Sequence, residues 1–426
     1  MKHLVSCLLL ATLTLVATES YAENRIDLRE AMQRAAIGPQ AEASRAQYRG
    51  ARAAAGIERR LAILPTISLA GSVNLRDRDF SLVTPAGTFS VGDKLFGTAR
   101  LRLSQPLFDP AGLYYRAPAA RLNADAALQT SVRVSEQLAM AAAQQYLDVL
   151  VLSALRTSNE SYVESLHSRL EEVKSMVAAE RAIVSDSLEV QLALKRASLQ
   201  SLVLKEQIEV GEFALGRALG SDSAVNAHLE GLPENLDKYS GQNDVLNRPD
   251  LLALHSQKRA AEKRLSGVRA DLLPKVVLNA DMIYSDEGPQ SETRFFQGSI
   301  NIVWVPFASG TRSLRKKVHR AEIAALTRKH EELLRTSRLE LRQSQSGIRI
   351  AREQLVVAES SIVQARQLLQ ITQDRYTGGK EKISDVLAAQ AVLRDSLAQE
   401  QIANIEIVRA QLGNQFASSS LKDWLR

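Results

Sequence analysis

The sequence predicts a mainly α-helical fold with membrane β-strands, built from two structural repeats that each combine long coiled-coil helices with a two-strand β-hairpin. Three observations lead to this fold class. Short motifs recur about 200 residues apart, four stretches alternate between apolar and polar residues, and two long spans contain almost no proline or glycine.

The repeat is visible in short matching segments. One motif reads LPTI at 64–67 and LPKV at 273–276, and another reads IVSD at 183–186 and KISD at 382–385. Matches at similar spacings, 209 and 199 residues, indicate two copies of a single plan. The predicted organisation is a signal peptide at 1–22, a first repeat at 23–220, an equatorial inter-repeat segment at 221–248, a second repeat at 249–416 and a C-terminal tail at 417–426.

The first residues have the pattern of a secretory signal. Lys2 precedes an apolar run from Leu4 to Val16, and a small residue, Ala22, ends the segment. An alternative is a lipoprotein signal with Cys7 as the lipid anchor. The apolar run follows Cys7 instead of preceding it, which favours the ordinary signal peptide. The mature chain then contains no cysteine, so its stability must come from burial and association.

Four segments alternate with period two and are predicted to be strands, at about 65–75, 97–107, 275–284 and 295–305. In the first, Ile67, Leu69 and Val73 share one face, and polar residues share the other. Aromatic residues cluster in or beside these segments, as in the girdles of a lipid-facing barrel. A half-buried sheet in a soluble protein is the alternative. Because four strands cannot close a barrel, the membrane interpretation requires several copies of the chain.

Two spans at about 114–180 and 311–376 are predicted to be single long helices. The second carries apolar residues every seven positions, including Leu334, Leu341 and Ile348, which indicates coiled-coil packing. Return helices are predicted at about 187–219 and 385–416, and shorter helices at about 28–64 and 249–273. No segment has the roughly 18–20 consecutive apolar residues of a spanning helix.

Catalysis and nucleic-acid binding are not supported. The six histidines are scattered, and HEE at 330–332 lacks the second histidine of a zinc helix. The basic run from Arg312 to Arg320 is interpreted as a solvated helix face near lipid headgroups, not as a nucleic-acid site. We therefore predict no enzyme activity, no metal and no cofactor.

Three further motifs carry a family resemblance. They read QPLFD at 105–109, NRPDL at 247–251, and RYTGG at 375–379 followed by ISDVL at 383–387. With these motifs in order on a twofold repeat, the chain resembles the TolC-like outer-membrane efflux and secretion channels. The resemblance implies a homotrimer with a 12-stranded β-barrel in the outer membrane of a Gram-negative bacterium and an α-helical tunnel in the periplasm. It also implies docking to a periplasmic adaptor (membrane fusion) protein and to an inner-membrane transporter, either ABC-type or proton-driven.

The resemblance also implies site residues at the helical turns. A periplasmic gate would comprise Asp186, Tyr376 and Asp385, with Lys380 and Lys382 beside them. The adaptor-docking tips would comprise Glu180, Arg181, Gly378 and Gly379. The chain departs from the family pattern at Ala388, where a second aspartate is expected, and at Glu381, where an arginine is expected. Alternatively, Asp186 and Asp385 are only caps of the returning helices.

Alternation places Arg100, Arg102 and Asp281 on the lumen face of the predicted barrel. The predicted function is a passive conduit. Type I protein secretion is slightly preferred over small-molecule efflux, because many drug-efflux members carry a lipid anchor. A soluble periplasmic coiled-coil scaffold is the alternative from another class.

Overall fold

A computed structural model describes residues 25–78, 80–227, 245–287 and 293–421. The predicted signal peptide lies outside the described residues, as do 228–244 of the inter-repeat segment and 422–426 of the tail. The elements in chain order are β1 (Arg25–Ile26), α1 (Leu28–Ile37), α2 (Pro39–Ile63), β2 (Thr66–Leu75), β3 (Phe80–Thr84), β4 (Gly87–Gly92), β5 (Leu95–Phe108), α3 (Ala117–Ala178), α4 (Val184–Ala218), β6 (Asn226–Ala227), α5 (Pro249–Ala270), β7 (Lys275–Ser285), β8 (Thr293–Val303), α6 (Thr311–Thr377) and α7 (Ile383–Ala417).

Three elements differ from the expected plan. The helix expected at about 28–64 is interrupted at Gly38, because Pro39 has no backbone N–H and starts α2 as a new helix. A π-helical turn, Gly112–Arg116, precedes α3. A short hairpin of β3 and β4, which the alternation did not predict, lies between the first two expected strands.

The contacts divide the chain into two compact units, and each sequence repeat contributes to both. The first unit comprises the described parts of Met1–Glu42, Arg133–Val245 and Thr336–Arg426. The second comprises the described parts of Ala43–Val132 and Leu246–Arg335. The two are described separately.

The core of the first unit lies between α1, α3, α4 and α7. Leu28, Tyr146, Leu147, Leu215 and Leu412 are completely buried in it. Many of the other buried residues are alanines, which allow close packing of helices. Gly216 is required by a close approach, since a Cβ there would lie 2.0 Å from the carbonyl oxygen of Ser223.

One described helical span, Gly112–Ala178, is long and apolar enough to cross a membrane by length and composition alone. Its apolar residues Ala139, Ala143, Leu147 and Leu150 are buried in the protein core of the first unit. This burial accounts for its apolar composition without a membrane.

The second unit contains a four-stranded antiparallel sheet in the order β2-β5-β7-β8. Its register separates two chemically different faces. One cross-strand row consists of Ser68, Arg102, Asp281 and Gln297, and the next position along each strand gives a row of Leu69, Leu101, Met282 and Phe296. The sheet therefore has a polar face and an apolar face, as period-two alternation requires. Its two edge strands are β2 and β8.

Candidate functional site

The two turns that join the long helices to the return helices close with the same hydrogen bonds. After α3, the N–H of Glu180 donates to the carbonyl of Val177 and that of Arg181 to Met176, at 3.0 and 2.8 Å. After α6, the N–H of Gly379 donates to Tyr376 and that of Lys380 to Arg375, at 2.9 and 2.8 Å. Both turns are Schellman motifs, which end a helix on one residue in the left-handed conformation.

The left-handed residue differs between the two turns. It is Gly379 after α6, with φ 68°, and Glu180 after α3, with φ 58°. A side chain in this conformation brings its Cβ close to the following carbonyl oxygen, at a cost of roughly 1–2 kcal/mol. The first turn therefore contains backbone strain that the second turn avoids.

One side-chain hydrogen bond connects the two repeats beside these turns. The hydroxyl of Tyr376, in the last turn of α6, donates to Oδ2 of Asp186, in the first turn of α4, over 3.1 Å. Tyr376 is 7% exposed and packs with Leu170, Val173 and Val386 in an apolar cluster. The contact thus joins a buried phenol to the start of the return helix of the other repeat.

The surroundings of this phenol change its titration. Burial, followed by the hydrogen bond to Asp186 and the negative charge of that carboxylate, raises the pKa of Tyr376 from 10.0 to about 12. The positive charge of Arg169 acts in the opposite direction. Tyr376 is therefore a neutral hydrogen-bond donor throughout the physiological pH range.

Arg169 and Glu172 also lie at this site, although no motif or spacing in the sequence distinguishes them. Arg169 is almost fully buried and donates from Nη1 to Oε2 of Glu172 over 2.6 Å. A charged pair at i,i+3 is common on solvated helix faces. The burial of Arg169 beside Tyr376 depends on tertiary packing, so the spacing of this pair alone does not separate it from a pair on a solvated face.

Asp385 occupies the same helical position as Asp186 but has a different partner. Its Oδ2 accepts a hydrogen bond from the backbone N–H of Lys382 over 3.2 Å, which caps the start of α7. Asp186, at the third position of α4, instead accepts the hydrogen bond from Tyr376. Asp385 is thus a helix cap, and Asp186 forms the contact between the repeats.

The remaining predicted tip residues lie in or beside the turns and are exposed. Glu381, which replaces the arginine expected from the resemblance, forms an ion pair with Arg375 at 3.2 Å. Within the described part of the chain, no carboxylate lies within ion-pair distance of Lys380 or the side chain of Lys382. Gly378 donates its N–H to the carbonyl of Asp374. The structure therefore brings together Asp186 and Tyr376 and leaves the lysines on the surface.

The predicted lumen residues lie on the polar face of the sheet. Arg102 donates from Nε to Oδ1 of Asp281 over 2.7 Å and from Nη2 to Oδ2 over 3.2 Å. This fork-shaped pairing fixes both side chains across β5 and β7. Arg100 is exposed two residues away, between Ala70 on β2 and Ile283 on β7.

The described residues contain no group of three or more histidine, cysteine, aspartate or glutamate side chains that could hold a metal ion. Two separate features remain as candidates for function, and they are the contact between Asp186 and Tyr376 and the polar face of the sheet.

Residues 242–413 match the family model described as outer membrane efflux protein. The match covers the second repeat and the end of the inter-repeat segment. No curated protein is significantly similar to the chain. The recognition of the outer membrane efflux family, made from the sequence motifs, is confirmed by this match and by the structures below.

Three solved structures show that the efflux-family fold extends over nearly the whole chain. The outer membrane protein VceC from Vibrio cholerae has a TM-score of 0.73 at 18% identity, covering 92% of this chain and 95% of VceC. CusC has a TM-score of 0.76 at 15% identity, covering 92% of both chains. The CmeC outer membrane channel of Campylobacter jejuni has a TM-score of 0.71 at 14% identity, covering 95% of this chain and 89% of CmeC. The predicted mainly α-helical fold with a small antiparallel sheet is confirmed, whereas the trimer and its 12-stranded barrel stay predictions.

Replacing Glu180 with glycine is expected to stabilise the first turn by about 1 kcal/mol, because glycine adopts positive φ without the steric cost. The reverse change, Gly379→Ala, is expected to destabilise the second turn by a similar amount. The alanine side chain would displace no neighbour, since no atom lies within 4 Å of a Cβ added at Gly379. The cost therefore comes from the backbone conformation alone. Hydrogen exchange of the amides around each turn measures both effects. Equal exchange in the Glu180→Gly variant and the wild type would contradict the strain at this turn.

The titration of Tyr376 is expected to depend on Asp186. The raised pKa means that folding favours the protonated phenol, so this stabilisation is complete below about pH 10 and is lost as pH rises through about 12. The ultraviolet difference spectrum between wild type and Tyr376→Phe should show tyrosinate absorption only near pH 12. In an Asp186→Asn background the same difference should appear at lower pH. An unchanged midpoint in that background would show that the carboxylate does not act on the phenol.

Proposed function

We propose that the chain is one protomer of a trimeric outer-membrane channel that continues into a periplasmic helical tunnel. It acts as a passive conduit for export, and the energy comes from an inner-membrane transporter coupled through a periplasmic adaptor protein. The single observation that supports this most strongly is the sheet with one polar face, one apolar face and two available edges.

The apolar face of the sheet has the exposure expected of a surface in contact with lipid. Leu69, Val73, Phe296 and Ile302 are between 68% and 83% exposed in one copy of the chain. A soluble protein rarely exposes a contiguous apolar face of this extent. Trp304 directly follows β8, and its indole donates to the carbonyl of Leu272 over 3.0 Å. An aromatic residue with one polar contact at the strand end is typical of a membrane interface.

The strand directions allow closure by identical copies. Each neighbouring pair in the order β2-β5-β7-β8 is antiparallel, so the two edge strands run in opposite directions. The β8 edge of one copy can therefore pair antiparallel with the β2 edge of the next, and the pattern continues around a ring. Three copies would give the twelve strands that the family resemblance implies. Closure satisfies the backbone groups that lipid cannot hydrogen-bond.

The helices supply the length for a tunnel. α3 has 62 residues and α6 has 67, which at 1.5 Å per residue corresponds to about 90–100 Å each. The return helix α4 exposes apolar residues that include Leu188, Leu192 and Leu199. We infer that helices of neighbouring copies pack against this stripe, because water does not stabilise exposed leucine side chains.

The periplasmic gate is proposed to depend on Asp186 and Tyr376. Their hydrogen bond connects the end of α6 to the beginning of α4, so opening at this point requires the bond to break. Asp385, Lys380 and Lys382 are proposed to belong to the same gate. The docking-tip residues Glu180, Arg181, Gly378 and Gly379 are proposed to meet the adaptor.

The channel proposal is tested by extraction and size. We expect the mature protein to remain in the outer-membrane fraction after a high-salt wash and to leave it only in detergent. It should migrate as a heat-modifiable trimer, with a matching mass by light scattering. A soluble monomer, or a protein removed by salt, would instead support the periplasmic coiled-coil scaffold and contradict the channel.

The cargo class is tested in the same strain by two transport assays. Type I protein secretion remains our first preference, and it predicts that removing the gene abolishes release of a large exoprotein into the medium. Small-molecule efflux predicts instead that dye or metal accumulates in the cells. Complementation with the intact gene should restore whichever phenotype appears.

The gate proposal predicts the conductance of three variants in planar bilayers. Asp186→Asn and Tyr376→Phe should each raise the single-channel conductance, because each weakens the same hydrogen bond. The double variant should conduct little more than either single variant, since both changes act on one interaction. Tyr162→Phe, which removes a hydroxyl from α3 elsewhere in the same unit, is the matched control. Wild-type conductance in both single variants would exclude this role.

A further inference from the structure

The charges on the polar face of the sheet do not cancel. Within the described strands of the four-stranded sheet there are five charged side chains, and they are Arg100, Arg102, Lys275, Asp281 and Arg294. Asp281 is the only carboxylate among them. The position and partner of each determine the charge that the interior of a barrel would present.

Two of the five do not add charge to the middle of the polar face. Arg294 is opposite Tyr284 in the register, on the same face as Met282 and Phe296, and its guanidinium lies 5.6 Å from the centre of the Tyr284 ring. Lys275 is on the polar face at the first residue of β7, where its Nζ lies 3.6 Å from Asp109. Three charges, those of Arg100, Arg102 and Asp281, therefore remain along the middle of this face.

Arg102 neutralises Asp281 almost completely. Both oxygens of the carboxylate accept from the same guanidinium, at 2.7 and 3.2 Å, and Asp281 is only 6% exposed. A bidentate pair of this geometry behaves as a dipole at a distance. A solute in the lumen would experience little net charge from either side chain.

Arg100 forms no ion pair with any carboxylate of the described residues. Its cross-strand neighbours are Ala70 and Ile283, and no carboxylate in the described part of the chain lies within ion-pair distance of it. Its diagonal neighbour on β7 is Asp281, whose two oxygens are already engaged by Arg102. Arg100 is exposed on the polar face, so its guanidinium is available to solutes.

We propose that Arg100 is a specificity-determining residue of the channel, which makes the barrel section favour anionic over cationic solutes. The inference rests on the proposed function, because it requires that the polar face line a closed barrel. Each copy then contributes one uncompensated positive charge, and three copies place a ring of three such charges at one level of the lumen. A ring of like charge with low-dielectric walls concentrates counter-ions at that level.

The ring acts in the barrel, whereas Asp186 and Asp385 lie at the helical turns. The ion selectivity of the whole channel therefore depends on the charges in the barrel and on those at the turns. Variants that differ only in the barrel isolate the effect of the barrel charges. The screening length of about 10 Å at 0.1 M salt means that the effect should be measured at or below this concentration.

The test is the reversal potential of the purified protein in planar bilayers under a potassium chloride gradient at low salt. We expect Arg100→Gln to lower the chloride-to-potassium permeability ratio by about twofold or more, because it removes the uncompensated charge. Arg100→Lys keeps the charge and should retain the wild-type ratio. Asp281→Asn exposes the charge of Arg102 and should raise the ratio.

Each outcome decides the proposal. Opposite shifts in Arg100→Gln and Asp281→Asn, with no shift in Arg100→Lys, would support it. An unchanged ratio in a trimeric, conducting Arg100→Gln variant would overturn it and leave the channel function intact. If the wild-type protein forms no channel, the proposed function fails and this inference fails with it. Because Arg100 is exposed and has no described ion-pair partner, its replacement should not prevent folding, and the trimer band on gels verifies this.

Discussion

Unpaired backbone groups at the edges of the sheet are the constraint on which the rest of the structure depends. In the hydrocarbon of a membrane each unpaired N–H or C=O costs several kcal/mol, because no water is available to replace the missing hydrogen bond. β2 has ten residues and β8 has eleven, and each leaves one side of its backbone without a partner in a single copy. Lipid thus converts an ordinary four-stranded sheet into a surface that must be completed by other copies. The proposed trimer, its lumen and the proposed ring of side chains would all follow from that requirement.

The same constraint explains why each sequence repeat contributes residues to both compact units. A repeat supplies two strands to the sheet, and two strands alone cannot bury a face or satisfy their edges. The sheet is complete only when β5 of the first repeat pairs with β7 of the second, and this pair places Arg102 opposite Asp281. The helices likewise obtain their core from both repeats, since Leu147 and Leu215 pack with Ile405 and Leu412. Duplication of the plan is therefore not duplication of an independent domain.

The periodic helices and strands could be predicted from the sequence, whereas the irregular elements could not. Strand alternation and helical periodicity are repeated over ten or more residues, so that a local error does not change the interpretation. The break at Gly38 and the β3–β4 hairpin depend on two or three residues each, and a single proline or turn decides them. Family resemblance, and not periodicity, identified Asp186 and Tyr376. Neither approach revealed Arg169, because its burial depends on a packing arrangement that no local pattern encodes.

The two repeats also differ at the turns, where a gate would need a difference. Asp186 and Asp385 occupy equivalent positions, yet Asp385 binds the backbone of its own turn and Asp186 binds a tyrosine of the other repeat. The strained Glu180 follows α3, whose return helix carries Asp186, and the relaxed Gly379 follows α6, whose return helix carries Asp385. The cross-repeat contact thus joins the two turns, since Asp186 follows the strained turn and Tyr376 lies in the last helical turn before the unstrained Gly379. Breaking this one hydrogen bond would uncouple a strained turn from an unstrained one.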